Sequence, residues 1–348
     1  MFKNSSLILT LLVVLLVVTM IASACLGAVQ IRFSEFMSIM AYRTGIDKQV
    51  HYQPQQEAVL FALRFPRVML GVLVGAGLGI SGASLQGLFR NPLADSGLIG
   101  ISSGASLFAV MMIVLEAAVF KQLQDAMGYY ALSLAAFVGA CLTTFVVYRI
   151  SVQQGKSDIT ALLLGGIAMN ALAGALIGLM TYMATDEQLR NITFWNLGSL
   201  GGATWKSVTT LLPFIAIPVI ALPFLAKSLN AFALGEAQAR HMGVNTGLVK
   251  KMVIVLATMA VGASVAISGI IGFVGLIIPH IIRMAFSSDH RLLIPASAIL
   301  GAAVLTLADL ISRTIVAPAE LPLGIITALL GSPIFIYIIM SRKRRTQL

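Results

Sequence analysis

The chain has 348 residues, of which 58% are apolar and only 10% charged, and its mean hydropathy is +0.96. A soluble domain carries about 25% charged residues, so an ordinary water-soluble protein is excluded and lipid must be the solvent for much of the chain. The net charge of +10 does not point to nucleic acid, because no aromatic residues interleave with the basic ones; Lys and Arg gathered in cytoplasmic loops account for it.

A helical span needs about 20 apolar residues. In chain order, apolar runs occupy residues 7–29, 66–86, 98–119, 129–150, 158–184, 207–226, 251–269, 273–286, 292–316 and 323–341. They predict an all-α integral membrane protein of about ten transmembrane helices, with 1–348 as one domain. The first run ends at Ala22-Ser23-Ala24-Cys25, a faint lipoprotein cleavage box with Ala22 where Leu is usual; its length predicts a retained first helix. Cys25 and Cys141 both lie in apolar runs and give neither a disulfide framework nor a zinc spacing. The run 273–286 is short and holds Pro279 and His280, as segments buried in protein or lining a cavity do. Gly71, Gly75, Gly77, Gly79 and Gly82 in the second run, and Gly165, Gly166, Gly174 and Gly178 in the fifth, predict close helix packing.

Ten spans put both termini on one side. The basic run Arg342-Lys343-Arg344-Arg345 places that side in the cytoplasm. The segments then left outside carry Arg32, Arg43, Lys48, Arg64, Arg67, Lys121, Arg190, Lys206 and Arg313, an excess that topology does not explain.

Nothing in the chain supplies energy or catalysis. A phosphate-binding loop needs a glycine five positions before Gly-Lys-Ser, and Ile150 occupies that place before Gly155-Lys156-Ser157. The histidines His51, His241, His280 and His290 are scattered, without metal-ligand spacing. An ion-coupled carrier needs several acids at membrane depth. Asp309 is the clearest one, and Arg313 one turn later suggests a structural pair.

Several stretches in order resemble the iron-siderophore, haem and vitamin B12 permeases of bacterial ABC importers. They are Leu63-Arg64-Phe65-Pro66-Arg67, the glycine-rich helix through Gln86, Phe89-Arg90-Asn91-Pro92-Leu93-Ala94-Asp95 and Leu234-Gly235-Glu236 through Gly243-Val244. Gly272-Phe273-Val274 through Pro279-His280, Asp289-His290-Arg291 and Ala319-Glu320-Leu321-Pro322-Leu323-Gly324 complete the series. The resemblance covers nearly the whole chain. It implies the type II ABC importer permease fold, a homodimer with the path between subunits, and two copies of a separate ATP-binding cassette ATPase.

By the same resemblance, Arg64, Arg67 and Arg313 dock a periplasmic binding protein, and they belong to the unexplained external excess. Asn91 and Leu93 form a cytoplasmic gate, with a less distinctive second gate around Ser151 to Asp158. The segment 227–250 is the loop that engages the ATPase through Gly235, Glu236, Ala239, Arg240 and Gly243. Both glycines suit two short helices joined by a sharp turn. His280 falls in a motif shared by permeases of unlike cargo, which favours a structural role over haem ligation.

The stretch Leu189 to Trp205 looks most like the haem permeases, which makes haem the expected cargo. Met169, Asn170 and Arg190 are candidate path residues, Arg190 facing a propionate. Trp195 and Trp205 read better as interfacial anchors. A ferric-siderophore or vitamin B12 permease, an ion-coupled carrier and a passive channel are the alternatives.

Overall fold

The computed structural model describes residues 5–46, 51–116, 120, 122, 127–128, 130–153 and 156–345. Lys3, Lys48, Lys121 and Gly155 lie outside the described residues. Helix α1 spans Ser5–Cys25 and α2 spans Phe33–Arg43; α3 runs over Pro54–Phe89 with a π-type turn at Leu60–Arg64. After a 3-10 turn at Ser96–Ile99 come α4 (Ile101–Leu115), α5 (Tyr130–Ser151), α6 (Ile159–Met183) and α7 (Asp186–Leu197). Helices α8 (Trp205–Ala221), α9 (Ala226–Ala233), α10 (Glu236–His241) and α11 (Thr246–Ser268) follow. Next are α12 (Val274–Ala285), α13 (His290–Thr314) and α14 (Leu323–Arg345). A two-residue antiparallel pairing, Val152–Gln153 with Lys156–Ser157, joins α5 to α6.

Among the described residues, seven helical stretches are long and apolar enough to cross a membrane. They are α1, α3, α5, α6, α8 with α9, α11 and α13; Ile101–Leu115, Val274–Ala285 and Leu323–Tyr337 are shorter apolar helices. Each of the ten predicted runs falls on one of these helices, seven of spanning length and three shorter, with shifted ends; residues 117–119 and 129 of those runs lie outside the described residues. Residues 98–100 belong to the turn before α4, and 246–250 begin α11 instead of extending a loop.

Helix α3 is the hub. Its glycines seat it on backbone: a Cβ on Gly75 would lie 2.4 Å from the Gly301 carbonyl, one on Gly79 2.2 Å from that of Ser297, and one on Gly82 1.9 Å from that of Gly275. Lipid gives no hydrophobic drive between helices, so such close approach supplies the dispersion contacts that hold the bundle. In α6, Gly166 fits the rule, since its Cβ would meet the Leu98 carbonyl at 1.8 Å. Gly174 and Gly178 do not. Among the described residues, no atom lies within 4 Å of a Cβ on either.

Short α12 is a buried half-span. Phe273 takes a left-handed conformation (φ 67°) at its start, and Val274, Ile277, Ile278, Pro279, His280 and Ile282 are all buried. The backbone entering it lies inside protein, as non-helical chain at membrane depth must.

Candidate functional site

Arg64, Arg67 and Arg313 converge where α1 and α13 end beside the early turns of α3. The π-type turn carries Arg64 inward, where it is only 5% exposed. Its guanidinium donates to the carbonyls of Ala24 at 2.7 Å, Cys25 at 2.8 Å, and Val29. The carbonyls of Ala24 and Cys25 end α1 without a partner inside the helix, and a buried cation helps satisfy them. Arg313 does the same from α13, donating to the Leu26 carbonyl at 3.0 Å, the Ser23 carbonyl, and Ser23 Oγ at 2.7 Å.

Arg67 bridges two acids. Its Nε and Nη2 donate to Asp309 at 2.9–3.0 Å, and its Nη1 reaches Glu320 at 2.7 Å. Arg313 Nε lies 3.6 Å from Asp309, so the expected Asp309–Arg313 pair exists but is the longer of two. Asp309 is thereby the buried hub of an Arg67–Asp309–Arg313 cluster, with Glu320 on its rim. Arg67's hydrogen bond holds the Glu320 carboxyl below its usual pKa, with the charges of Arg67 and Arg313 adding to the effect and partial burial opposing it. Arg64, Arg67, Arg313 and Glu320 line a depression of about 360 Å³ with Gly27 and Pro318, above the buried Asp309. All three arginine heads are engaged inside the chain, so the surface they offer is this depression and the exposed edge of Glu320. Glu320 lay in a quoted motif; only the fold reveals it as Arg67's partner.

At the opposite end, Arg90 closes α3 in a left-handed conformation (φ 51°), and Asn91 follows, exposed. Asn91 Oδ1 accepts from the Leu93 amide at 2.9 Å, a turn in which the side chain substitutes for backbone. The Leu93 side chain is exposed there. Near it, Asn170 donates to the Gly97 carbonyl at 2.8 Å and accepts from Ser103 Oγ at 2.5 Å, while Met169 packs against the core. Asn170 thus braces α6 against the 3-10 turn and α4, while Met169 faces the core. Arg190 is exposed on α7, remote in the chain from both. In the second expected gate, Asp158 caps α6 by accepting from the Ala161 amide at 3.0 Å, while Gln154 and Gly155 lie outside the described residues.

The segment after α8 folds as two short helices, α9 and α10, with Gly235 (φ 122°) between them and Gly243 (φ 83°) after them. Only glycine takes such angles without strain. Ala239 is fully buried while Arg240 is exposed. Glu236 sits 2.7 Å from Lys250 of α11 and 3.4 Å from Arg240, tying α10 to a membrane helix. Asn230 of α9 donates to Asp289 at 2.6 Å, and its Oδ1 accepts from the His290 amide at 3.0 Å and lies 2.8 Å from the ring Nδ1. The His290 ring in turn lies against Gly87 of α3, where a Cβ would meet Nε2 at 2.4 Å. The sequence offered Asp289-His290 only as a motif, and nothing in it singled out Asn230.

The model of the FecCD transport family matches residues 15–341. The hemin transport system permease protein HmuU of Yersinia pestis is 39% identical over 340 residues, covering 97% of each chain. The vitamin B12 import system permease protein BtuC of Klebsiella pneumoniae is 36% identical over 335 residues, covering 96% of this chain and 93% of that one. Among solved structures, an inward-facing chain described as a metal-chelate type ABC transporter superposes with a TM-score of 0.81 at 30% identity. It covers 97% of this chain and 99% of its own length.

Proposed function

The chain belongs to the FecCD transport family of ABC transporter permeases, and we propose that it carries haem from periplasm to cytoplasm across a bacterial inner membrane. The observation that carries the cargo is the 39% identity to a hemin permease along 97% of both chains. The 36% identity to a vitamin B12 permease makes cobalamin the second reading, and a ferric siderophore the third.

The whole chain acts as one transmembrane domain with both termini cytoplasmic. Two copies form the permease. The open face of α6 supports this, because a Cβ on Gly174 or Gly178, a Gly-x-x-x-Gly pair, meets nothing within 4 Å among the described residues and the pair suits a close helix neighbour. Two ATPase subunits bind at α9 and α10, where Arg240 and Gly243 present the exposed edge and Gly235, Glu236 and buried Ala239 set the turn and the packing beneath it. A periplasmic haem-binding protein docks on the Arg64, Arg67 and Arg313 depression. In that role the arginines act by fixing the surface and its positive field, which steers encounter and register. Asn91 and Leu93 narrow the cytoplasmic mouth, and Met169 and Asn170 set the α6 wall beside it. Arg190 meets the cargo's propionates at entry.

Reconstitution of the chain with its ATPase and binding protein in proteoliposomes tests the reading. ATP-dependent uptake of haem, absent with a non-hydrolysable analogue, is expected. Uptake of cobalamin or a ferric siderophore in its place would reassign the cargo, and flux without nucleotide would reject the ATP-driven mechanism.

A further inference from the structure

An apolar groove of about 460 Å³ runs along the outside of the bundle between α5 and α11. Phe137, Cys141, Phe145, Tyr148, Val255 and Met259 line it, and Arg149 and Lys251 stand at one end. The two cations meet there because α5 and α11 run antiparallel, so the last turn of one lies beside the first turns of the other. Neither forms an ion pair among the described residues, although Lys250, one position earlier, is paired with Glu236 at 2.7 Å. Arg149 instead sits over the Phe145 ring at 6.0 Å. Phe145 and Val255 are exposed. In a chain that spans a bilayer, this face meets acyl chains.

We propose that this groove is a binding site for one anionic phospholipid, its acyl chain along Phe145 and Val255 and its phosphate held by Arg149 and Lys251. Charge complementarity selects the occupant: two unpaired cations at the end of an apolar slot match a negatively charged headgroup on a hydrocarbon tail, as basic pockets between membrane helices do. The orientation argued from the basic loops places the site in the cytoplasmic leaflet. A second groove, between α5 and α8, has one cation, Lys206, already 4.5 Å from the Tyr130 ring centroid, and lacks the paired charge. The site depends on α5 and α11 alone and is independent of the cargo.

Native mass spectrometry of the full chain tests this, with equimolar phosphatidylglycerol and phosphatidylcholine of identical acyl composition. The wild type is expected to retain phosphatidylglycerol on the order of tenfold more than phosphatidylcholine. The pair Arg149→Gln and Lys251→Gln should bring the ratio to about one, while Arg149→Lys with Lys251→Arg keeps it, since charge alone is required. Val255→Trp, which fills the slot, should lower retention of phosphatidylglycerol. Equal retention of the two lipids by the wild type, or a preference that survives the double Gln change, overturns the proposal. If the double Gln variant does not fold, Val255→Trp decides: unchanged phosphatidylglycerol retention overturns the site, and its loss supports it.

Discussion

Arg67 and Asp309 stand 242 positions apart in sequence and share a bidentate contact at 2.9–3.0 Å, with the Asp309 side chain only 2% exposed. One carboxylate therefore compensates Arg67 on α3 and Arg313 on α13 together. Asp309→Asn keeps the shape and removes the charge, leaving two buried guanidinium groups facing each other. The expected loss is about 3–5 kcal/mol, read as a lower melting temperature of the purified protein in detergent. A melting temperature equal to the wild type would show that Asp309 is not the hub.

Glu320 sets an acid limit on this cluster. Its folded pKa lies below its usual value of 4.5 because Arg67 donates to it. A group with a depressed pKa contributes stability above its unfolded value and loses it as pH falls through the folded one. The chain should therefore lose stability on acidification through and below pH 4.5, and Glu320→Gln should remove that part of the loss. With 43% of the side chain exposed, water screens the pair, and the difference should be no more than about 1 kcal/mol. Melting curves of both forms across acid pH measure it.

Gly82 of α3 and Gly174 of α6 should behave oppositely. Gly82→Ala drives a methyl into the Gly275 carbonyl, at 1.9 Å, and backbone cannot yield as a flexible side chain does. A loss of at least about 1–3 kcal/mol is expected, with a shifted α12. The methyl of Gly174→Ala meets nothing within 4 Å among the described residues, so monomer stability should hold while self-association weakens. Thermal melts and analytical ultracentrifugation of the two variants separate the effects.

Asn230 joins α9 to the start of α13, whose His290 rests on Gly87 near the end of α3. Asn230→Ala leaves the exposed edge of α10 intact and cuts this link. ATPase binding should persist, while haem transported per ATP hydrolysed falls about two- to thirtyfold, the range of a coupling loss of 0.5–2 kcal/mol. Parallel assays of uptake and hydrolysis give the ratio; an unchanged ratio would remove Asn230 from the link.

Much of this architecture was legible beforehand, because apolar run length is set by bilayer thickness and is written locally in the chain. The sharp turns at Gly235 and Gly243 were likewise legible, since few other residues tolerate their backbone angles. What pairs with Arg67 was not, because Asp309 and Glu320 reach it only through the packing of α3 on α13. Exposure misled for Arg64 and Arg313: placement outside the membrane suggested surface cations, yet carbonyls at and just beyond the end of α1, without partners inside that helix, draw both inward. The helices α2 and α7 escaped notice because they are too polar for a span and too short for a strong helical period.

ATP-driven haem import through this chain is tested by haem accumulation in proteoliposomes holding it with its ATPase and binding protein. Accumulation that requires hydrolysable ATP and falls sharply when Arg64 and Arg67 are both changed to Glu is the predicted result. Haem flux that proceeds without nucleotide, or no haem uptake where cobalamin is taken up, would contradict it.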